Sequence, residues 1–422
     1  MMRAVRVEAV ASFFALVAPV AAGAAPDAER LRFVAIDGDG AVVTEQHADD
    51  PVNPASVVKV GTTLWALDRL GPDHRYTTTF GVSGRWDRAS GVLVGDLVVA
   101  GAGDPDFQWE NAYLVARELN RLGLRRVEGE LRVEGIFWSG WEHGVEKRAV
   151  DPDRRGRQMG RRLIDALDPR RWTTSHENTW IAMCERRGWD PSLPPRVVVT
   201  EGVRVDGDGQ FEPVLAHRSN RLPQVLRRFN VYSNNDIVRI ADGLGSIHEL
   251  EAFIARRLGD DKGSIVVATA SGERRNRMSV RQMVALVRAL GTEAVGQGIE
   301  LRQLLPVVGC DPGPTRRMFP VLAAPPLTGS VVCKTGTLTD TDGGVAVLAG
   351  TYRSPRMGPV AFAVAAPEAG GRLQHWRRVE QRWLLSLMAE HGGAVAKPCG
   401  PELPFSDANA EIEPLIGVEG RD

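Results

Sequence analysis

The hydrophobic pattern of this chain alternates at first and then coils. Residues 31–36 and 41–45 are two β-rich runs joined by Asp37-Gly38-Asp39-Gly40, a turn signal that predicts a hairpin. Residues 55–70 then place apolar side chains at helical spacing. This run is entered through Asn53-Pro54 and stopped by Gly71-Pro72, so a helix is predicted with Asn53 as its N-cap and Pro54 at its first position. From about 75 to 217 the character changes. Short β-like runs such as 92–100 alternate with turns, one helix covers 110–122, and an arginine-rich stretch fills 147–171. Helical spacing returns at 235–244, 247–258 and 279–290, and β-rich runs at 330–334, 344–352 and 360–365 lead into a closing helix at 373–389. Residues 401–422 are polar and acidic with few aromatics, which predicts a poorly ordered tail.

Helices mixed with adjacent strands predict an α/β (α+β) layer domain whose sheet is substantially antiparallel. The principal domain is expected to be discontinuous, 25–75 and 216–422, with a β-rich module inserted over 76–215. Residues 1–24 read as a cleaved export signal: Arg3 and Arg6, an apolar stretch from 9 to 22, then Ala22-Gly23-Ala24. No second apolar run is long enough to span a bilayer, so no transmembrane segment is expected in the mature chain, which is predicted to be exported.

Composition narrows the chemistry. A formal net charge of -1 and a pI near 6.7 provide no basic field for nucleic acid. Cys184, Cys310, Cys333 and Cys399 show no Cys-x-x-Cys spacing, and the eight histidines form no His-x-x-x-His pair, so neither a metal nor a cofactor is expected. For the cysteines, three complete disulfide pairings and four unpaired thiols all stand open. Of the 52 basic residues only five are lysines, Lys59, Lys147, Lys262, Lys334 and Lys397. Where this chain needs mere positive charge it uses arginine, which makes each lysine informative.

Ser56 stands in the first turn of the predicted helix, where backbone N–H groups have no partner within the helix and can donate to a developing oxyanion. Lys59 lies three residues on, on the same face, within reach of the serine oxygen. A general base must be able to lose its proton, which a desolvated lysine can do and arginine cannot. Taken alone, Ser-x-x-Lys describes many solvated helix starts, and Tyr232-Ser233-Asn234-Asn235 before a helix describes many N-cap clusters. Lys334-Thr335-Gly336-Thr337 follows an apolar run and precedes a Gly-Gly turn, as on an edge-like strand facing a cleft. There lysine and threonine can bind a carboxylate, and glycine lets backbone approach a substrate.

The order Ser-x-x-Lys, Ser-x-Asn, Lys-Thr-Gly is far more specific than any one of these motifs, and it is a known signature of serine enzymes that react with penicillins. The chain resembles the penicillin-binding protein 4 type of D-alanyl-D-alanine carboxypeptidase and endopeptidase, peptidase family S13. Supporting flanks are Gly95-Asp96-Leu97, Gly103-Asp104-Pro105, Val214-Leu215-Ala216-His217-Arg218-Ser219 and Leu305-Pro306-Val307-Val308-Gly309. The long insertion between the first two motifs fits as well. The resemblance implies a β-lactamase/transpeptidase-like domain acting on peptidoglycan peptides ending in D-Ala-D-Ala, with β-lactams as inhibitors. It makes Ser56 the acylated nucleophile, Lys59 its base and Ser233 a proton relay. Asn235 would hold the substrate amide, Lys334 and Thr335 the terminal carboxylate, and the N–H groups of Ser56 and Thr337 the oxyanion.

There are departures. Thr269-Ala270-Ser271-Gly272-Glu273 stands where the family has Asp-Gly-Ser-Gly-Leu, and the insertion is short for the family. Cys333 is expected to point away from Lys334 into the core. Tyr232-Ser233-Asn234 also satisfies a Tyr-x-Asn motif one residue out of register. The competing readings are a β-lactamase or esterase of the same superfamily and a non-catalytic penicillin-binding or peptidoglycan-sensing protein. A Ser-His-Asp hydrolase is disfavoured because no Gly-x-Ser-x-Gly elbow is present.

Overall fold

The computed structural model describes residue 27 and residues 29–142, 150–205, 207, 209–260 and 262–416. The expected export signal and the start of the arginine-rich stretch lie outside the described residues. A five-stranded antiparallel sheet forms the spine of the principal domain, in the order Val331–Leu338, Val345–Ser354, Gly358–Pro367, Arg32–Asp37, Val42–Gln46. The predicted opening hairpin therefore pairs with strands more than 300 residues later, Val34 facing Ala363. The strand carrying Lys334 is an edge of this sheet, as expected.

Each face of the sheet is covered by its own core. On one side lies the helix Val58–Leu70, whose residues 58 to 67 are all buried, together with Leu222–Val231, Val238–Leu244, Ile247–Leu258 and Val280–Gly296. A helix buried on every side is clamped by its neighbours, which suits an element that must hold a reactive group still. On the other side the closing helix Leu373–Glu390 packs Trp376, Leu384, Leu387 and Met388 against the sheet. Cys333 is fully buried in that second core, on the face opposite Lys334, as strand alternation requires.

The inserted module has a separate core and a separate sheet, mixed rather than purely antiparallel. Strand Val92–Ala102 crosses through helix Trp109–Arg121 to the parallel strand Leu131–Ile136, a connection that parallel pairing requires. Its last strand runs Glu212–Arg218, so the predicted boundary at 215/216 falls inside an element. The arginine-rich stretch conceals a helix, Pro152–Leu167, started by Asp151, whose side chain accepts from the Arg154 N–H. Met159, Leu163, Ile164 and Leu167 supply its buried face, a helical spacing masked in sequence by the arginines between them.

Two further expectations are corrected. The tail is ordered through residue 416: Glu411–Pro414 adds a strand to the module's sheet, and buried Asp407 receives Arg186 and Arg187. This polar segment orders because backbone pairing and buried ion pairs add to the packing of Ala410, Ile412 and Ile416 on the module's core. Cysteine chemistry is neither fully paired nor fully free. Cys310 and Cys399 form one disulfide, while Cys184 and Cys333 are buried thiols in two different cores. Among the described residues no helix is long and apolar enough to cross a membrane.

Candidate active site

The first motif does not begin as a regular α-helix. A 3-10 turn, Ala55–Val57, precedes Val58–Leu70, and Pro54 rather than Asn53 occupies the capping position. Asn53 still caps with its side chain: its Oδ1 accepts from the Ala55 N–H at 3.0 Å, while its Nδ2 donates to the Arg274 carbonyl and to Asp342. Ala55 has φ of 47°, a left-handed conformation that costs a non-glycine residue roughly 1–3 kcal/mol. The tight turn leaves Ser56 in the helix's first turn with its side chain aimed at Lys59.

Lys59 is fully buried and donates to three oxygens: Ser56 Oγ at 2.8 Å, Asn235 Oδ1 at 2.8 Å and the Ser271 carbonyl at 2.5 Å. Burial pushes its ammonium well below the ordinary lysine range, the charge of Lys334 adds to the shift, and Glu273 opposes it. The amine is thus surrounded by acceptors, none of them a carboxylate.

The second motif resolves its register. Ser233 has φ of 51° and its Oγ accepts from Lys334 Nζ at 2.8 Å, while Asn235 meets Lys59. Asn234 instead accepts the Asp236 N–H, so it caps the following turn and is buried away from Lys59's amine. The competing Tyr232-x-Asn234 register therefore has no geometric basis. Strained backbone at both Ala55 and Ser233 places side chains where relaxed backbone would not.

The third motif closes the site. Lys334 is buried, donating to Ser233 Oγ and to the Thr335 carbonyl at 2.9 Å. Burial pushes it down to about 7, with Arg377's charge adding and Cys333 opposing. Gly336 was expected to admit a substrate backbone; its closest approach is to the nucleophile turn. A Cβ there would lie 2.5 Å from the Pro54 carbonyl and 3.2 Å from the Ser56 nitrogen. Gly272 crowds the same turn from the other side, a Cβ there meeting the Ala55 carbonyl at 1.9 Å. Two glycines therefore press the edge strand and the loop at 269–273 against the residue that bears Ser56. Hydrogen bonds and close approach bring the predicted residues together: Ser56 and Asn235 meet at the Lys59 amine, Ser233 and Thr335 at the Lys334 amine, and the strand carrying Gly336 and Thr337 lies against the Ser56 turn.

Several partners were invisible in the sequence. The loop at 269–273, flagged only as a departure, supplies the Ser271 carbonyl to Lys59, and Ser271 Oγ is held by Glu273 at 2.8 Å. Arg377 of the closing helix donates to the Gly336 carbonyl and to Thr337 Oγ1, and is neutralised by Glu380 at 2.7 Å. Burial raises Glu380 to about 7, with Arg377 working against that shift. A charged pair at i, i+3 on the apolar face of the closing helix was the available signal. The inserted module also reaches the second motif. Arg228 pairs with Asp106 at 2.7 Å, Arg239 with Glu142 at 3.1 Å, and the Glu142 N–H donates to Asp236, the residue after Asn235.

Comparison with solved structures finds the same fold. Predatory endopeptidase Bd0816 of Bdellovibrio bacteriovorus superposes with a TM-score of 0.74 at 20% identity, covering 90% of this chain and 99% of that one. Peptidoglycan endopeptidase Bd3459 of the same organism gives 0.73 at 20% identity, over 90% and 98%. Penicillin binding protein 4 of Haemophilus influenzae gives 0.57 at 18% identity, over 84% and 96%. The family model for the D-Ala-D-Ala carboxypeptidase 3 (S13) family matches residues 23–151 and 198–375, spanning all three motifs and most of the inserted module. With that match and the assembled cleft, the chain belongs to the D-Ala-D-Ala carboxypeptidase 3 (S13) family, and it is a hydrolase of the peptidase class.

Proposed function

We propose that this protein is an exported D-alanyl-D-alanine carboxypeptidase/endopeptidase, which cleaves peptidoglycan stem peptides through an acyl-enzyme on Ser56 and is acylated there by penicillins. The observation that carries this reading is Lys59: a fully buried amine, depressed in basicity, 2.8 Å from Ser56 Oγ. Neutral Lys59 takes the Ser56 proton as Oγ attacks the carbonyl carbon of the penultimate D-alanine. The tetrahedral oxyanion is held by the N–H groups of Ser56 and Thr337. Ser233, hydrogen-bonded to Lys334, delivers its hydroxyl proton to the leaving nitrogen as the C–N bond breaks, and the proton that Lys59 took from Ser56 replaces it. Asn235 orients Lys59 and the substrate amide, while Lys334 and Thr335 bind the terminal carboxylate. Water then attacks the Ser56 ester, releasing the shortened peptide and restoring the hydroxyl.

A protein of the same fold supports the substrate class: Bd3459 is described as a peptidoglycan endopeptidase and was also solved in a penicillin G acylated form. Periplasmic location is part of the proposal. The Cys310–Cys399 disulfide supports it, since such bonds persist in oxidising compartments.

Mass spectrometry of the intact protein after penicillin G tests the reading. A stable adduct mapped to Ser56, lost in Ser56→Ala together with D-alanine release from a D-Ala-D-Ala peptide, is the expected result. Rapid penicillin turnover without an adduct would instead make the protein a β-lactamase. Unchanged labelling in Ser56→Ala would remove Ser56 from the mechanism.

A further inference from the structure

The loop at 269–273, where this chain departs from the family pattern, ends on a carboxylate that stands outside the proton-transfer steps. Glu273 Oε2 accepts from Ser271 Oγ at 2.8 Å. The carbonyl of the same serine accepts from Lys59 Nζ at 2.5 Å and from Ser56 Oγ at 3.4 Å. One residue therefore joins the carboxylate to both partners of the first proton transfer. The loop closes on itself around Glu273, whose own carbonyl accepts from Thr269 Oγ1 and from Asn276 Nδ2, each at 2.8 Å. Gly272, with φ of 87°, seats the loop against the Ala55 carbonyl.

The chemistry at Lys59 calls for such a group. Lys59 is fully buried, and when it takes the Ser56 proton an ammonium forms among three oxygens that carry no full charge. A buried cation with no anion near it is costly, so a carboxylate at one remove stabilises the proton-transferred state more than the neutral amine. The other charged groups on the elements packed around Lys59 do not serve. Lys334 on the edge strand is a cation and acts in the opposite sense. Asp236, which follows Asn235, accepts the Glu142 N–H and lies 3.7 Å from Arg239. On the loop side Arg274 is exposed, and Arg275 and Arg277 are directed to Asp342. Glu273 pairs with no cation among the described residues, and it opposes the depression of Lys59.

We propose that Glu273 is a positioning residue for acylation: through Ser271 it fixes the carbonyl that meets Lys59, and its carboxylate balances the ammonium formed as Ser56 loses its proton. This rests on the acyl-enzyme reading above and deepens it. Leucine, which the family has at this place, could do neither. The carboxylate makes Lys59 a stronger base but a less often neutral one. Removing its charge therefore moves the rising limb of acylation to lower pH and lowers the maximum, because a weaker base takes the proton less readily. The variant's profile crosses the wild type's, whereas damage to the loop alone lowers the rate by one factor at every pH.

The test measures penicillin G acylation against pH by stopped flow for the wild type, Glu273→Gln and Glu273→Asp. Glu273→Gln keeps an acceptor for Ser271 Oγ and removes the charge. Its rising limb should move to lower pH and its maximum fall about threefold, the size expected of one partly screened charge. Glu273→Asp keeps the charge, so its limb should stay at the wild-type position. A Glu273→Gln profile that coincides with the wild type's, or that is lowered by one factor throughout with its limb unmoved, overturns the proposal. So does a Glu273→Asp limb displaced as far as that of Glu273→Gln. Mapping the penicillin adduct in the wild type reports on the acyl-enzyme separately: no adduct at Ser56 sinks that reading, whereas an adduct there with an unmoved limb in Glu273→Gln sinks this one.

Discussion

Lys59 and Lys334 are both buried and both bonded to a serine hydroxyl at 2.8 Å, yet their surroundings differ in kind. Lys59 sits on a helix enclosed on every side, ringed by the Ser56 hydroxyl, the Asn235 amide oxygen and the Ser271 carbonyl. Lys334 sits on an open sheet edge, with Arg377 behind it and the cleft in front. Enclosure without a counter-ion drives one amine toward neutrality, where it can accept a proton. The other is held near the point at which it can be either charged or neutral, and an arriving carboxylate tips it toward charge. Two residues of one type thus acquire different chemistry from the backbone that carries them.

The sharpest way to break this comparison is to exchange each lysine for arginine, which keeps charge but cannot give up its proton. Lys59→Arg should reduce penicillin acylation by about 10³-fold or more, because base catalysis is lost. Lys334→Arg should cost about tenfold, because a cation remains beside the carboxylate. Similar losses in stopped-flow acylation of the two variants would mean that the lysines share one role.

A pH profile sharpens the comparison further. Lys59 is active when neutral, and its depressed pKa means that this form is gained as pH rises through the lowered value, giving a rising limb. Lys334 is needed charged, and that form is lost as pH rises past about 7, giving a falling limb in kcat/KM. Substrates whose terminal carboxylate is amidated should keep the rising limb and lose the falling one. Arg377→Gln/Glu380→Gln removes one neighbouring cation from Lys334 while eliminating a buried pair together. The falling limb should then move to higher pH, because the charge that lowers Lys334 is gone.

The smallest effect on turnover is expected at the disulfide. Cys310→Ser/Cys399→Ser opens a link between residues 89 apart and frees the segment that leads into the Asp407 ion pairs. It should lower the thermal midpoint by several degrees, in line with a loss of about 2–4 kcal/mol, and leave the acylation rate near wild type. A large loss of acylation would tie the tail to the cleft.

Much of the site was legible because its chemistry is local. Ser56 and Lys59 share a helix face, Lys334 and Cys333 must point to opposite faces of a strand, and the scarcity of lysine in an arginine-rich chain marks both amines. The register of the second motif was read as Ser233-x-Asn235 only through the family resemblance, since Tyr232-x-Asn234 satisfies a motif as well. It was decided by a left-handed backbone at Ser233, which no local propensity predicts for serine. Nor could the sequence show that Gly336 and Gly272 yield space to the turn at Ser56 rather than to a substrate. The helix at Pro152–Leu167 escaped because its five arginines interrupt the apolar positions that bury it.

By itself the sequence determined the three motifs and the class of sheet in the principal domain, because each is written in residue type and spacing. Only the tertiary structure decided what lies around them. The Ser271 carbonyl on Lys59, the Arg377 guanidinium on Thr337 and the module's grip on Asp236 join residues 40 to 212 positions apart. Contacts of that kind leave no periodic trace in a chain, since they follow from how separately predicted elements pack and not from any element alone.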